Sequence, residues 1–380
     1  MEIIKPEILV IGENIYSLFL SSLLIKSGFE PVILSQNKSA MLFNPMIKYI
    51  DKNSNLYRHL NIGELTEFLT SLSFSFQNDF SPIEVLYNTG DIVRCSTIYK
   101  NYNYLYESKN MSSKLIFVNI ENLQDTIKVT LDNNSQWEII NLDILQKDRI
   151  YSIYELAATL EDDEEALKSL ARDIRSKLVG NGGIIVLPPF LGIHKADKIY
   201  ESLKSITGRK IFEALTLNPA VISKRFFNIQ KGFEEKEGIE VIYDKIYKVY
   251  LEQDKINYIT CNNYEIYPEI VVLISERFVE EGLTIRDNKV VEPIFNLPVF
   301  FTNSKNEISY FTEENIFASH NIFNCGIKIN EGFVPLNIYG YQIFQNLYAG
   351  GSIILNSTDI LKNLIDIYRL FQIIKERLSI

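Results

Sequence analysis

Glycine is scarce in this chain, at 17 of 380 residues, about 4.5% against the roughly 7% usual in globular proteins. Proteins that cradle phosphates with backbone amides use glycine freely, so the shortage directs attention to where the remaining glycines stand. Cysteine is rarer. Cys95, Cys261 and Cys325 are odd in number and far apart, which excludes a disulfide framework and the paired spacing of a zinc or iron–sulfur site. The expected compartment is reducing. His59, His194 and His320 are the only histidines, and none has ligand spacing to another His or to a Cys, so no metal site is expected. No uninterrupted apolar stretch approaches the roughly 18 residues of a membrane helix, and the run Ile8–Ile11 leads to no small-residue cleavage site. A soluble, cytoplasmic chain with no direct membrane span is the expectation. Positive charge is also short: 38 basic against 48 acidic residues, net −10, leave no global field for nucleic acid or an anionic membrane.

What the chain does have is apolar mass. Hydrophobic residues make up 46%, ample for large cores and incompatible with general disorder. The length fits two or three structural units. The 22 Tyr and 23 Phe accompany abundant Ile, Asn and Lys, a mixture that fits an A/T-biased genome and is not read as a binding signature.

The clearest local pattern comes first. Ile8-Leu9-Val10-Ile11 is an all-apolar run suited to a strand buried on both faces, and Gly12 ends it. Apolar residues then recur at helical spacing from Ile15 to Ser27, Gly28 stands where a helix C-terminal glycine belongs, and Pro31-Val32-Ile33-Leu34 reads as a second buried strand. Strand, helix and strand make a βαβ unit, which requires a parallel sheet. Residues 37–110 carry a weak helix near Ile62–Leu72 and strand-like pieces around Val85 and Ile92. A second α/β rhythm follows: a strand over Lys114–Ile120, an acidic helix over Ile153–Leu178, a strand over Ile184–Leu187 ended by Pro188-Pro189, and a helix over Lys195–Ile206. The run Glu161-Asp162-Asp163-Glu164-Glu165 reads as a solvated face or helix start rather than a metal site, because helical turns scatter consecutive carboxylates. From Gly238 the pattern predicts an antiparallel meander over residues 239–243, 245–252 and 255–261, a buried strand over Ile270–Ile274, a further strand closed by Gly350-Gly351, and a last amphipathic helix from Asp359 to Leu378, with Ser357, Thr358 and Asp359 available as caps.

A dinucleotide fold holds the cofactor pyrophosphate where its first strand turns into its first helix, and the turn wants Gly-x-Gly-x-x-Gly. The segment here is Gly12-Glu13-Asn14-Ile15-Tyr16-Ser17, with only the first glycine present. Asn14 tolerates a left-handed backbone, but its side chain stands where phosphate approaches; Ser17 is small enough for close helix–strand packing. Glu13 places a carboxylate at the helix N-terminus, where it satisfies the dipole itself and repels phosphate.

Taken in order, the segments resemble the B-type subunit of the anaerobic glycerol-3-phosphate dehydrogenase, a flavoprotein-fold family related to the fumarate-reductase type. After the βαβ start, Ser35 to Phe43 (SQNKSAMLF) is similar to the family's Gly-Gln-Ser-Ala stretch, matching at Ser39 and Ala40. Leu187 to Gly192 (LPPFLG) and Thr216 to Arg225 (TLNPAVISKR) resemble its Leu-Pro-x-x-x-Gly and Pro-Thr-Leu-Pro-Pro-Ser-x-x-Gly-x-Arg segments, and Arg225 is retained. Glu292-Pro293-Ile294 and Asn346 to Ser352 (NLYAGGS) are similar to its Arg-Glu-Pro-Ile and Asn-Leu-Tyr-Ala-x-Gly-Ser. The departures fall together at glycines. The family's Ala-x-Gly-x-Phe, near the flavin's adenosine half, is Ile274-Ser275-Glu276-Arg277-Phe278; its Gly-rich helix start under the flavin ring is Ile353 to Thr358; its Ser-Ser-Gly is Asn44-Pro45-Met46.

The resemblance implies an α/β fold: a Rossmann-like FAD-binding domain with a parallel central sheet and a β-meander, over residues 1–50, 232–290 and 320–380, with an inserted α/β substrate or cap domain over 51–231 and 291–319. It implies FAD or FMN, oxidation of glycerol 3-phosphate to dihydroxyacetone phosphate, and electron delivery to a membrane acceptor. Its partners would be a catalytic flavoprotein and an electron-transfer or membrane-anchoring subunit, which would hold the chain at the inner face of the membrane. In that reading Gly12, Asn14, Ser17, Ser39, Ala40, Gly350 and Gly351 line the cofactor cleft. Arg225 is the substrate-side candidate, its fork suiting a phosphate or carboxylate, with a structural ion pair as the other role open to it. The glycine losses favour a second reading, a non-catalytic structural or regulatory subunit, and leave a third, a repurposed small-molecule binder.

Overall fold

The computed structural model describes residues 1–36, 46–48, 62–76, 83–86, 92–99, 114–121, 123, 137–142, 151–180, 182–214, 220–278, 280–302, 324–357 and 360–379. The chain divides into two compact units, one of Met1–Met41, Ser54–Leu65 and Gly232–Ile380, the other of Leu42–Asn53 and Thr66–Lys231.

The first unit is built on a five-stranded sheet in the order Glu240–Tyr243, Pro31–Ser35, Ile8–Ile11, Ile270–Leu273, Leu347–Ala349, parallel throughout. Its three central strands are buried along their whole length, as the uninterrupted Ile, Leu and Val runs require. The Ile15–Lys26 helix is buried from Ile15 to Leu24, so its helical spacing understates its burial; it packs on the sheet and on the Ile360–Leu378 helix. Each fully buried Leu or Phe on it contributes about 2 kcal/mol. A second sheet, in the order Glu2–Ile4, Tyr264–Ile266, Lys255–Cys261, Ile246–Glu252, is the meander with one added parallel strand. The expectation for 239–243 needs correction here. Glu240–Tyr243 is not a meander strand: four consecutive residues pair in parallel with Val32–Ser35, and Tyr264–Ile266 supplies the meander's third strand. The core fills the space between the two sheets, with Leu9, Ile11, Val271 and Leu273 meeting Ile256, Ile259 and Ile266.

The second unit holds a four-stranded parallel sheet in the order Ile211–Glu213, Ile184–Leu187, Leu115–Ile120, Trp137–Leu142. Antiparallel strands Met46–Lys48, Phe74–Phe76, Ile83–Leu86 and Ile92–Tyr99 form another. The single helix expected over Ile153–Leu178 is two helices, Ile153–Asp162 and Glu164–Lys177, broken at Asp163. Asp163 has extended backbone and its carboxylate accepts from the Glu165 and Ala166 amides. This N-cap competes with continued helix, and the acidic run is the helix start it resembled.

Candidate functional site

In an open parallel sheet the ligand crevice lies outside the carboxyl ends of the strands where the strand order reverses. In the first unit the reversal falls between Ile8–Ile11 and Ile270–Leu273, since the chain moves from Ile8–Ile11 to Pro31–Ser35 on one side and Ile270–Leu273 lies on the other. The crevice position is therefore bounded by Gly12–Asn14 and Ile274–Glu276. A cavity of about 460 Å³, lined by Lys5, Phe29, Glu30 and Glu240 among others, lies at the opposite edge, where the strands begin and parallel sheets offer no helix N-terminus to a ligand.

At the crevice the chain satisfies itself. Asn14 is the helix N-cap: its Oδ1 accepts from the Tyr16 and Ser17 amides at 3.1 and 3.2 Å. Ser17 closes the capping box, its Oγ accepting the Asn14 amide at 2.9 Å. The Glu13 amide donates to Glu280 Oε1 at 3.2 Å. Glu280 Oε2 accepts from Asn14 Nδ2 at 2.9 Å and from the Glu276 amide at 2.7 Å. The second Asn14 Nδ2 bond, 2.8 Å to Ile274 O, ties the helix start to the neighbouring strand end. Thus the amides of residues 13, 14, 16 and 17 are all engaged within the chain, and a carboxylate sits against the helix N-terminus.

Three carboxylates converge here. Glu13 is almost fully buried and accepts the Tyr243 hydroxyl at 2.9 Å. Burial pushes Glu276 up to about 7. Burial, then the charge of Glu276, pushes Glu280 up to about 8 against the pull of its N–H donors. A diphosphate brought to this point would meet carboxyl groups and engaged amides in place of free donors. The ribose-binding carboxylate of dinucleotide folds, which stands about 20 residues after the glycine turn at the end of the second strand, is also missing: Ser35 ends that strand. The residues present at this turn do not fit the pyrophosphate of FAD.

Gly12 has a different reason to survive. Its φ is +112°, and a Cβ would stand 2.5 Å from Ser275 Cα, so contact between adjacent strand ends demands glycine with no cofactor involved. Gly351 behaves alike, at φ +70° with Tyr16 Cδ2 2.9 Å from a built Cβ. Asn14, Ser17, Gly350 and Gly351 are all buried in the protein, packed rather than lining an open cleft. Ser39 and Ala40 lie outside the described residues. The segment placed under a flavin ring by the resemblance is fastened instead. Arg277 Nε donates to Ser352 O at 2.7 Å, and its Nη2 reaches Ile354 O and Ser357 O at 3.2 and 2.9 Å. Ser357 Oγ bonds Gly351 O and Asn363 Oδ1, and Asn363 Nδ2 reaches the Tyr16 hydroxyl.

In the second unit, Arg225 takes the structural role. It is 2% exposed, donates to both oxygens of Glu213 at 2.6 and 3.0 Å, and sends Nε to Gly192 O at 2.5 Å. Glu213 also accepts the Leu191 amide at 2.7 Å. A guanidinium so engaged is not presented to a substrate. His194 is exposed, with Nδ1 3.0 Å from Asn228 Nδ2, as a surface-loop histidine. Glu161 Oε1 accepts the amides of Ile193, His194 and Lys195, in the loop that leads into the Ala196–Thr207 helix. Cys261 and Cys325 are buried, and burial pushes their thiols up to about 12 and about 11, which leaves neither as a nucleophile.

Sequence reasoning singled out Glu13 and Glu276 but missed Glu280, which makes the contacts. No local signal marks it.

No family model matches the chain. Curated relatives do: the B-type subunit of the anaerobic glycerol-3-phosphate dehydrogenase of Actinobacillus pleuropneumoniae is 26% identical over 223 residues, 57% of this chain and 51% of that one. Its namesakes from Histophilus somni and Yersinia pseudotuberculosis are 27% and 24% identical, covering 50% and 59% of this chain and 44% and 48% of theirs. The chain is similar to this subunit. It spans about half the length of the curated relatives it matches, and they bear the name of the family that the sequence resembles. Solved structures align along nearly the whole chain but loosely. L-proline dehydrogenase from P. horikoshii covers 98% of this chain and 94% of its own at 11% identity and TM-score 0.36. A 3-ketosteroid dehydrogenase from Rhodococcus jostii covers 98% and 96% at 8% identity and TM-score 0.36. Likeness at that level carries no argument, and the fold class rests on strand order and direction. Among the described residues no helix is long and apolar enough to cross a membrane.

Proposed function

We propose that this chain is a non-catalytic subunit of a glycerol-3-phosphate dehydrogenase assembly, a flavoprotein-type scaffold that holds or regulates a flavin-bearing partner. The observation that carries the reading is the closed strand-to-helix turn, where Glu280 and Asn14 take the amides that a cofactor pyrophosphate would need. The relatives' name supports the assembly. Oxidation of glycerol 3-phosphate and electron delivery toward a membrane acceptor are then the partners' work, and any attachment at the inner membrane face is made through them.

The test is native purification from its own cells. The expected result is a complex in which this chain accompanies a second polypeptide that oxidises glycerol 3-phosphate and carries all the flavin, while the separated chain is colourless. A chain that runs alone and colourless, with no dehydrogenase partner, removes the proposal. A second reading, favoured by the crevice topology, keeps FAD or FMN on this chain; it requires the separated chain to be yellow.

A further inference from the structure

We infer that Glu280 is a built-in substitute for the cofactor pyrophosphate: a carboxylate covalently part of the chain that occupies the anion position at the start of the Ile15–Lys26 helix and keeps diphosphate out. The inference deepens the reading of a flavin-free subunit and rests on it.

Three observations meet at one carboxyl group. Topology puts the crevice of the sheet at the Gly12 turn, between two strands whose order reverses there. Dinucleotide folds offer phosphate the backbone N–H groups of that turn; here Tyr16 and Ser17 give theirs to Asn14 Oδ1. Glu280 lies against this cap with both oxygens, taking the amide of Glu13, the residue before the cap, with Oε1 and the Asn14 side-chain amide and the Glu276 amide with Oε2. Two of its three donors lie more than 260 residues away in sequence, so the contact is tertiary rather than a local turn habit. A carboxylate and a phosphate ask for the same donors in nearly the same plane, and a tethered one needs no free concentration to compete. The strand end behind it leaves no room for a side chain at Gly12, where a Cβ would stand 2.5 Å from Ser275 Cα. Glu276, where the resembled family has glycine, stands beside Glu280 and adds a second carboxyl group at the turn.

The experiment uses the full-length chain and its Glu280→Ala/Glu276→Gly variant, with inorganic pyrophosphate as the probe and thermal unfolding and calorimetric titration as readouts. The double variant should bind pyrophosphate about tenfold or more tightly than the parent and gain thermal stability from it, while the parent's melting point does not move. Acetate should raise the melting point of Glu280→Ala alone. A folded double variant that responds to neither anion overturns the inference, as does a parent that binds pyrophosphate equally well. If Glu280→Ala does not fold, Glu280→Gln keeps the side-chain volume. Its Glu13 and Glu276 backbone amides should then exchange with deuterium about tenfold faster than in the parent, and unchanged exchange overturns the inference. The reading of function fails on a different observable, the absence of a dehydrogenase partner in native extracts.

Discussion

Each unit of this chain closes a strand-to-helix turn with one of its own glutamates, and the two turns do so in opposite electrostatic surroundings. After Ile184–Leu187, Glu161 accepts three amides at the start of the Ala196–Thr207 helix, and the neighbouring carboxylate, Glu213, is answered bidentately by Arg225. After Ile8–Ile11, Glu280 accepts three N–H donors beside two further carboxylates, and among the described residues those donors are neutral. Carboxyl groups are answered by a guanidinium at one turn and accumulate at the other, where burial raises Glu276 to about 7 and Glu280 to about 8 and so favours their neutral forms. Burial raises the pKa of Glu276 and Glu280, and Glu280 leaves the donors it bonds unavailable to an anion from outside.

The largest effect expected from breaking this contrast is at the neutralised turn. Arg225→Met leaves Glu213 buried without its guanidinium, and should cost about 3–5 kcal/mol in denaturant unfolding; adding Glu213→Leu should recover most of that loss. A single variant within about 1 kcal/mol of the parent would mean that the pair is not buried as described.

Gly12→Ala comes next. Positive φ and a Cβ 2.5 Å from Ser275 Cα should together cost about 3 kcal/mol. The loss should be the same with or without added flavin, because backbone contact is its cause. A loss seen only when flavin is added would assign Gly12 to a cofactor.

Glu161→Ala should cost about 1–2 kcal/mol, because it removes the acceptor of three loop amides. Hydrogen exchange should quicken at Ile193 and Lys195 while the Gly12 turn is unaffected. Exchange that quickens at both turns would couple what is here described separately.

The gentlest difference is a pH slope at the accumulated turn. Glu276 and Glu280 have folded values of about 7 and about 8, above the ordinary 4.5. The folded state therefore holds their protons more tightly than the unfolded state does. Their contribution to stability is fully present below about pH 4.5 and is lost as pH rises through those values. The decline should not exceed about 1.4 kcal/mol per pH unit for each group. Glu280→Gln should flatten it, and melting points that rise from about pH 6 to about pH 9 in both proteins would reverse the sign argued here.

Much of the architecture was legible in the residues. Ile8–Ile11, Ile184–Leu187 and Ile270–Leu273 are uninterrupted β-branched and leucine runs, and such runs have few uses other than a strand buried on both faces. The misreadings were of partnership and interruption. Glu240–Tyr243 looked like the first strand of a meander because it is followed by two such strands; only pairing with Val32–Ser35 makes it parallel. The break at Asp163 was hidden because its neighbours are good helix formers and a cap differs from a helical residue only in backbone angle. Arg225 could be read as serving a substrate or an ion pair, and Glu213, its partner, lies on another element.

By itself the amino-acid sequence determined the parallel α/β class, the likeness to the dehydrogenase subunit, the missing glycines after Gly12 and the acidic replacements at Glu13 and Glu276, since all of these are local chemistry or local period. Tertiary structure alone decided that Gly12 and Gly351 answer packing, that Arg225 faces Glu213, and that Glu280 bonds the turn after Ile8–Ile11. A carboxylate 267 positions from its first donor leaves no local trace, because its placement depends on which strands become neighbours and on how the turn after Ile270–Leu273 directs one side chain back across the sheet.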